Sequence, residues 1–315
     1  MTYKMRFLKA LQKNDDEPRP PKRENVAPID NRLGSLDAKI PDLADPHVTI
    51  GKAAVDIQSR DAVKNASSGT QDLRGENRLS VAAHKFRQII VEPTMVNPCL
   101  VSITEPNSAS SEEYRNVRTS LLQRSKRSRL RSIVVTSVAP GEGKSVTALN
   151  LSWFLAQTEG IKAILIDSDL RLPSLAGYIG IEPKPGLSEV LDGEANLLDA
   201  VVQLNPSGLH LLPGGRPRRD VAELLSGPTF AGLMDEATDM FDYVIVDAPP
   251  IGVFTDAKIL VHSMDATLMV IRSNYTHYKA LGRIMEDLPA DRLLGVVLND
   301  SDEPLIKGEY YDYRY

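Results

Sequence analysis

The chain has 315 residues, a formal net charge of −5 and a single cysteine. The negative charge argues against general nucleic-acid binding as the main role. The lone Cys99 excludes a disulfide framework or a cysteine-ligated metal cluster within one chain, as is typical of a reducing compartment. Because there is neither a signal-peptide core nor a run of about 20 apolar residues, the sequence predicts a cytoplasmic protein without a transmembrane segment of its own.

The first 100 residues are rich in Pro, Asp, Lys, Asn and Ser and contain only short apolar clusters. Such a composition buries too little apolar surface to offset chain entropy, so residues 1–100 are predicted to be a largely disordered extension. Two islands are expected to fold locally: YKMRFLKALQK as a short amphipathic helix, and SVAAHKFRQIIVEP as a helix that docks on the main domain. The extension could serve as a tether, a docking arm or a regulator.

Between Tyr114 and Ser132 the chain carries basic residues and no acidic one. Three explanations stay open: a solvated helix and turn, attraction to anionic lipid headgroups, or a subunit interface. Glu112, Arg115 and Arg118 are spaced three apart and share one helix face, so an interface is favoured for the first two arginines. The basic residues are Arg115, Arg118, Arg124, Lys126, Arg127, Arg129 and Arg131.

From Arg131 onward, short β-branched runs alternate with helical stretches. Near-continuous Val, Ile and Leu runs predict strands covered on both faces, and the alternation predicts an α/β fold with a doubly wound, mostly parallel sheet over residues 101–300. Ligands bind such sheets at the carboxyl ends of the strands. The predicted strands are 132–138, 162–167, 209–212, 243–247, 267–272 and 294–299, with a helix beginning near Lys144.

The segment VAPGEGKS, residues 138–145, fits a phosphate-binding loop except that Val138 stands at its first glycine. Gly141 and Gly143 let backbone N–H groups turn around a polyphosphate, Lys144 can reach the β and γ phosphates, and the Ser145 hydroxyl can ligate Mg²⁺. A chance Gly-rich turn rarely reads PGxGKS between a strand and a helix. The predicted nucleotide contacts are Pro140, Gly141, Glu142, Gly143, Lys144, Ser145, Val146 and Asn299.

Acidic residues close two of the predicted buried strands. Asp247 ends YVIVD, where the aspartate that orients the magnesium shell is expected, and Asp167 and Asp169 end KAILIDSD. One such aspartate is usually a helix cap, but three carboxylates at one edge suit phosphoryl transfer. The predicted catalytic residues are Lys144, Asp167, Asp169 and Asp247, and the predicted magnesium ligands are Ser145, Asp167 and Asp247.

The predicted nucleotide is ATP rather than GTP. A guanine-specific enzyme would carry an NKxD-like base-reading motif, and the sequence has none. The candidate at the corresponding end of the sheet is Asn299 in VLND, whose side chain can hydrogen-bond an adenine edge.

Four features together resemble the bacterial tyrosine kinases encoded with capsule and exopolysaccharide genes. They are the phosphate loop APGEGKS, the motifs ILIDSDLRLP and VIVDAPP, and EEYRNVR, whose Glu112, Arg115 and Arg118 match the family's E-x-x-R-x-x-R oligomerisation motif. The resemblance covers residues 111–300 and the tail GEYYDYRY, which is similar to the family's autophosphorylation cluster. It implies a P-loop fold of the MinD/ParA-like type.

The resemblance also implies a mechanism and partners. In a ring-like homo-oligomer, the flexible tail 301–315 of one subunit enters a neighbour's site, where a tyrosine hydroxyl attacks ATP and Asp167 helps to orient or deprotonate it. A membrane polysaccharide co-polymerase or chain-length determinant activates the kinase at the inner face of the plasma membrane, and a cognate tyrosine phosphatase opposes it. The implied phosphoacceptors are Tyr310, Tyr311, Tyr313 and Tyr315.

The sequence departs from the family pattern in two places, and two alternative functions stay open. GGRPRRDVAELL at 214–225 replaces the PPNP-like stretch of many relatives, and the polar N-terminal segment is not part of the family's core. A MinD/ParA-like ATPase switch would share the phosphate loop, although Ala139 stands where such proteins carry a lysine that reaches across their dimer. An ATP-binding scaffold without transfer activity would keep the same residues. The tail could instead be an edge strand, although Gly308, Glu309, Asp312 and Arg314 interrupt its apolar surface.

Overall fold

The computed structural model describes residues 5–9 and 86–301, with side chains described for residues 86–301. The strands are β1 (Met5–Lys9), β2 (Arg87–Ile90), β3 (Ser132–Ser137), β4 (Ala163–Asp167), β5 (Val202–Asn205), β6 (Leu209–Leu212), β7 (Tyr243–Asp247), β8 (Ala266–Arg272) and β9 (Leu293–Asn299). The helices are α1 (Val101–Thr104), α2 (Ala109–Ser125), α3 (Lys144–Ala156), α4 (Leu175–Tyr178), α5 (Leu187–Leu191), α6 (Leu197–Ala200), α7 (Val221–Ser226), α8 (Pro228–Met240), α9 (Thr255–Ser263) and α10 (Tyr278–Asp287).

These strands form one sheet in the order β1-β9-β8-β3-β7-β4-β6-β5-β2. The strands from β9 to β6 are parallel to one another, whereas β1 runs antiparallel to β9 and β5 antiparallel to β6. β3 lies between β7 and β8, which follow it far along the chain, as crossover connections require. The predicted α/β fold with a mostly parallel sheet is confirmed.

Both faces of the sheet are covered, as the apolar strands predict. Successive residues of a strand point to opposite faces. Ile133 and Val135 of β3 pack in the hydrophobic layer that contains α3. Val134 packs in the opposite layer, with residues of α8 and α9. All residues of β3, β4 and β7 are therefore buried, and their carboxyl ends are fixed by packing on both sides.

Helix α3 is internal, and this fixes the position of the phosphate loop that precedes it. Residues 145–155 are all buried, including the polar Thr147, Asn150 and Ser152, so the helix is enclosed on every side. The Asn150 side chain accepts a hydrogen bond from Ser102 N at 2.9 Å and donates one to the Cys99 carbonyl at 3.1 Å. The segment around α1 is thereby attached to the outer side of α3.

Two helix predictions in the first hundred residues were wrong. Met5–Lys9 forms the strand β1 on the outer edge of β9, and Arg87–Ile90 forms the strand β2 beside β5. Sheet edges carry unpaired backbone groups, and pairing with them outweighs a weak local preference for helix. The remaining residues of these two segments lie outside the described residues, as do the rest of the predicted extension before residue 86 and the tail beyond Ser301. Within the described ranges, no helix combines the length and apolarity needed to cross a membrane.

Candidate active site

Three neighbouring strands bring their carboxyl ends to one edge of the sheet. β3 leads into the phosphate loop, residues 138–143, and then into α3. β4 ends at Asp167 and β7 at Asp247, and these two residues are direct partners in the β4–β7 pairing. The structure thus brings together Lys144, Asp167, Asp169 and Asp247, the four residues that the sequence predicts to be catalytic.

The phosphate loop takes a conformation that requires glycine at two positions. Gly141 and Gly143 have φ angles of 78° and 94°, in the left-handed region that other residues disfavour. A Cβ atom at Gly143 would also lie 2.2 Å from Asn299 Nδ2. With glycines there, the loop leads directly into the N-terminus of α3, whose free N–H groups and positive dipole end suit an anion.

Side chains that are distant in sequence fix the phosphate loop through hydrogen bonds. Glu142 is fully buried, and its carboxylate accepts hydrogen bonds from Ala139 N at 2.9 Å and from the Thr276 hydroxyl. Asn299 Nδ2 donates to the Glu142 carbonyl at 3.0 Å, while Asn299 Oδ1 is buried without a partner. The side chains of Glu142 and Asn299 therefore bond to the loop itself, and their contact with a nucleotide stays a prediction. Sequence reasoning missed Thr276, which gives no local signal of this contact.

Lys144 sits between two carboxylates. Its Nζ lies 3.0 Å from Asp169 Oδ2 and 3.6 Å from Asp247 Oδ2, and it donates to the Ser145 hydroxyl at 3.1 Å. Burial disfavours the charged ammonium, but the attraction of Asp247 and Asp169 outweighs it and raises the pKa of Lys144. The lysine is therefore a permanent cation at the N-terminus of α3.

Asp167 has one carboxylate oxygen fixed and the other unused. Oδ2 accepts hydrogen bonds from Ser174 N at 2.9 Å and Leu175 N at 3.0 Å, whereas Oδ1 is buried and has no hydrogen-bond partner among the described residues. Burial and the nearby charge of Asp247 raise the pKa of Asp167 to about 7, against the effect of the two amides and of Lys144. The two amides hold the carboxylate plane in place while one oxygen remains available.

Within the described residues, neither buried carboxylate oxygen of Asp247 accepts a hydrogen bond, although Lys144 Nζ lies 3.6 Å from Oδ2. Burial raises its pKa, and the charge of Lys144 opposes that effect. Buried carboxylate oxygens that accept no hydrogen bond are uncommon and suit a bound cation. Magnesium is usually held by one or two carboxylates together with substrate phosphates and water. Among the residues with described side chains, no cluster of three or more His, Cys, Asp or Glu would hold a metal by itself, so the donor set fits an ion shared with a phosphate.

The arginine of DSDLR anchors its loop to the helix after β7. Arg171 Nε donates to Asp256 Oδ2 at 2.7 Å and Nη2 to Oδ1 at 3.2 Å, while the guanidinium lies 5.2 Å from the centre of the Phe254 ring. The Asp256 side chain is completely buried. Sequence reasoning missed Asp256, because an aspartate in the first turn of a helix reads as an ordinary capping residue.

The loop that departs from the family pattern lies directly against the site. A Cβ atom at Gly214 would be 3.3 Å from Asp167 Cγ and 2.7 Å from Pro173 Cβ. Arg218 N donates to the Leu170 carbonyl at 2.7 Å, and the side chains of Arg216 and Arg218 both pair with Asp192. The replaced stretch therefore forms one wall beside Asp167.

The predicted oligomerisation residues lie on α2 and differ in their surroundings. Glu112 pairs with Arg115, whose Nη2 also donates to the Pro106 carbonyl at 2.7 Å. The Arg115 guanidinium lies 4.6 Å from the centre of the Phe154 ring. Arg118 Nε is buried and has no hydrogen-bond partner in the part of the chain that the structure describes. Contact of these residues with another subunit stays a prediction, and the predicted phosphoacceptors Tyr310, Tyr311, Tyr313 and Tyr315 lie outside the described residues.

Comparisons with known proteins agree with this geometry. Residues 130–289 match the family described as an AAA domain. The chain is 37% identical to the tyrosine-protein kinase YwqD of Bacillus subtilis (strain 168) over 216 residues, which are 68% of this chain and 90% of that protein. It is 33% identical over 218 residues to the succinoglycan biosynthesis transport protein ExoP of Rhizobium meliloti (strain 1021), covering 68% of this chain and 28% of ExoP. The solved kinase domain of the Escherichia coli tyrosine kinase ETK has a TM-score of 0.61 and 26% identity, covering 69% of this chain and 84% of that domain.

Proposed function

The chain belongs to the bacterial tyrosine-protein kinases, and from this premise we propose that it binds Mg-ATP and phosphorylates the tyrosines of its own C-terminal tail in trans within a homo-oligomer. The observation that carries the proposal is the meeting of Lys144, Asp167, Asp169 and Asp247 beside a phosphate loop. Tyrosine kinase activity is what distinguishes this chain from a MinD/ParA-like ATPase switch that shares the loop.

The phosphate side of the site is built from the loop and three side chains. Backbone N–H groups at Gly141 to Ser145 bind the polyphosphate, and Lys144 donates to its β and γ phosphate oxygens. The two carboxylate oxygens of Asp247, with the Ser145 hydroxyl, would hold magnesium. A magnesium ion bound there supplies positive charge to the transferring phosphoryl group.

The acceptor side is built around Asp167. A tyrosine Oη attacks the γ phosphorus, a new O–P bond forms, the bond from that phosphorus to the bridging oxygen breaks, and ADP leaves. Asp167 Oδ1 accepts no hydrogen bond from the residues between 86 and 301 and can take the phenolic proton, while the amides of Ser174 and Leu175 prevent the carboxylate from rotating. Lys144 balances the negative charge that develops on the phosphate oxygens.

The proposed biological role is control of exopolysaccharide or capsule synthesis or export. ExoP supports this role, since it is named for succinoglycan biosynthesis and transport and contains a region similar to this chain within a much longer protein. The corresponding partner here would be a membrane polysaccharide co-polymerase that recruits the kinase to the inner face of the plasma membrane. A cognate tyrosine phosphatase would reset the tail.

Mass spectrometry after incubation with Mg-ATP tests the proposal. We expect stepwise phosphate additions that map to Tyr310, Tyr311, Tyr313 and Tyr315 and that disappear in Lys144→Met and in a chain truncated after Lys307. Asp167→Asn is expected to lower kcat by about 10²- to 10⁴-fold, the usual range for loss of a general base. ATP hydrolysis without any mass change, even with a cytosolic activator segment added, would contradict the proposal and favour the ATPase switch.

A further inference from the structure

Two exposed tyrosines lie near the site and outside the C-terminal tail. The side chains of Tyr275 and Tyr278 are 50% and 86% exposed. The other tyrosines with described side chains are less accessible: Tyr114 and Tyr243 are buried, and Tyr178 is half-buried. Tyr275 and Tyr278 are therefore the tyrosines of the described fold that another active site can reach.

The segment that carries them is attached to the phosphate loop. It joins the carboxyl end of β8 to the start of α10, at the same edge of the sheet as the site. The Tyr275 hydroxyl donates to the Pro140 carbonyl at 3.3 Å, and the adjacent Thr276 hydroxyl bonds to the buried carboxylate of Glu142. This segment, residues 273–278, thus contacts the loop through two neighbouring side chains.

The segment and the helix after it lie at the surface. Tyr278 is the first residue of α10, a helix in which no residue is fully buried. The Arg272 guanidinium lies 5.5 Å from the centre of the Tyr275 ring, and it donates two hydrogen bonds to Asp300 Oδ2, at 2.9 and 2.7 Å. The contact between Tyr275 and the loop is a single long hydrogen bond, which costs little to break.

We propose that Tyr275 and Tyr278 form a second phosphoacceptor site, modified by the active site of a neighbouring subunit, and that phosphorylation of Tyr275 weakens ATP binding. The proposal uses the tyrosine kinase activity of the chain but does not require tail phosphorylation. The tyrosine Oη forms a bond to the γ phosphorus of ATP, the bond from that phosphorus to the bridging oxygen breaks, and ADP leaves. The phenolic proton passes to a carboxylate of the acting subunit.

The position of Tyr275 gives its phosphorylation a consequence for the loop. The modified oxygen loses the hydrogen that it donates to Pro140. The phosphate adds about −1.5 to −2 charges beside a loop whose ligand is itself an anion. Arg272 compensates only in part, because Asp300 already neutralises it. Phosphorylation of Tyr278 has a smaller effect, since its side chain is 86% exposed and, among the described residues, the hydrogen bonds to the loop come from Tyr275 and Thr276.

Tandem mass spectrometry tests the modification. Trypsin cleaves after Arg272 and Lys279, so the peptide 273–279, SNYTHYK, contains both tyrosines and no other. After incubation with Mg-ATP we expect phosphate on this peptide in the full chain and in a chain truncated after Lys307, and none in Lys144→Met. Phosphate on the tail with an unmodified SNYTHYK peptide would overturn this inference while leaving the proposed function intact. Phosphate on neither segment would overturn both.

A pair of single variants tests the consequence. In the chain truncated after Lys307, Tyr278→Phe leaves Tyr275 as the acceptor of this segment, and Tyr275→Phe leaves Tyr278. Each phosphorylated form is separated from its unmodified form by anion exchange, and the Kd for ATP is measured by calorimetry. We expect phosphorylation at Tyr275 to raise this Kd about tenfold, as one additional like-charge contact would, and phosphorylation at Tyr278 to leave it within about twofold. An unchanged Kd in the Tyr275-modified form would overturn the regulatory part of the inference.

Discussion

Gly252 shows how a residue outside the catalytic set can determine the shape of the site. It follows β7 and the Ala-Pro-Pro turn, and its backbone approaches the start of the phosphate loop. A Cβ atom there would lie 2.3 Å from the Val138 carbonyl oxygen, closer than any real Cβ contact. Any side chain at this position would push apart the loop and the strand that ends in Asp247.

Gly252→Ala is therefore expected to reduce both stability and ATP affinity. Overpacking of this kind costs about 1–3 kcal/mol of the free energy of unfolding, measured by urea denaturation. Gly232→Ala is the matched control, because Gly232 is exposed on α8 and nothing lies within 4 Å of the added atom. That change should instead stabilise the protein by about 0.5–1 kcal/mol through helix propensity. Equal effects of the two substitutions would contradict this account.

His210 gives a second prediction at the level of single residues. Its ring lies between those of Phe86 and Phe241, with centroid distances of 4.7 and 4.9 Å. Burial lowers its pKa from 6.5 to about 4, against the effect of a hydrogen bond to the backbone of Ala163. As the pH falls below 6.5, the unfolded chain binds the proton first, so stability present above pH 6.5 is lost between pH 6.5 and 4.

The size of this loss can be measured by comparing a variant of His210 with a control variant of an exposed histidine. Between pH 7 and pH 5 the His210 contribution to the free energy of unfolding falls by about 2 kcal/mol. His210→Phe keeps an aromatic ring between its neighbours. Its free energy of unfolding should therefore fall by about 2 kcal/mol less than that of the wild type between pH 7 and pH 5. The exposed His262, changed to Gln, serves as the control and should follow the wild type. Identical pH dependence of all three proteins in urea denaturation would rule out His210 as the source.

At the scale of elements, the strands that could be predicted are those buried on both faces. The predicted ranges 132–138, 162–167, 267–272 and 294–299 each come within one residue of β3, β4, β8 and β9 at either end, and those of β6 and β7 agree. Their apolar runs are a local signal. β1 and β2 were not predicted because an edge strand depends on a partner elsewhere in the chain. β5 was not predicted because it has only four residues, two of them polar. The residues of the site differ in the same way in how far they can be predicted. The carboxylates follow strands that the sequence predicts, whereas the hydrogen bond between Glu142 and Thr276 joins residues 134 positions apart.

The strand β1 allows a test of whether an edge strand protects its neighbour, β9, from self-association and from hydrogen exchange. Its five residues pair antiparallel with residues 295–299 of β9. Deleting residues 1–9 should expose the backbone of β9, increase self-association in light scattering, and speed amide hydrogen exchange in residues 293–299. Exchange in β3, which is internal to the sheet, is the built-in control and should not change. Unchanged exchange in β9 would show that β1 does not protect this edge.

At the scale of the whole molecule, some residues of α2 stabilise the single subunit and others are candidates for contacts between subunits. Arg115 is engaged within its own subunit by Glu112, the Pro106 carbonyl and the Phe154 ring. Arg118 differs, because its Nε is buried and has no hydrogen-bond partner within the described residues. A buried donor without a partner costs desolvation free energy in the isolated subunit, and an additional acceptor would satisfy it. The two arginines of the E-x-x-R-x-x-R motif therefore have separable roles.

Alanine substitutions should separate these roles in one pair of measurements. Arg115→Ala is expected to lower the free energy of unfolding by about 1–2 kcal/mol, since it loses a hydrogen bond and a cation–π contact. Arg118→Ala should not lower that free energy but should shift sedimentation velocity towards the monomer. Arg129→Ala, at an exposed position in the same basic segment, controls for the loss of charge. If Arg118→Ala assembles like wild type, the buried Nε has a role inside the subunit, and the interface must be sought elsewhere on α2.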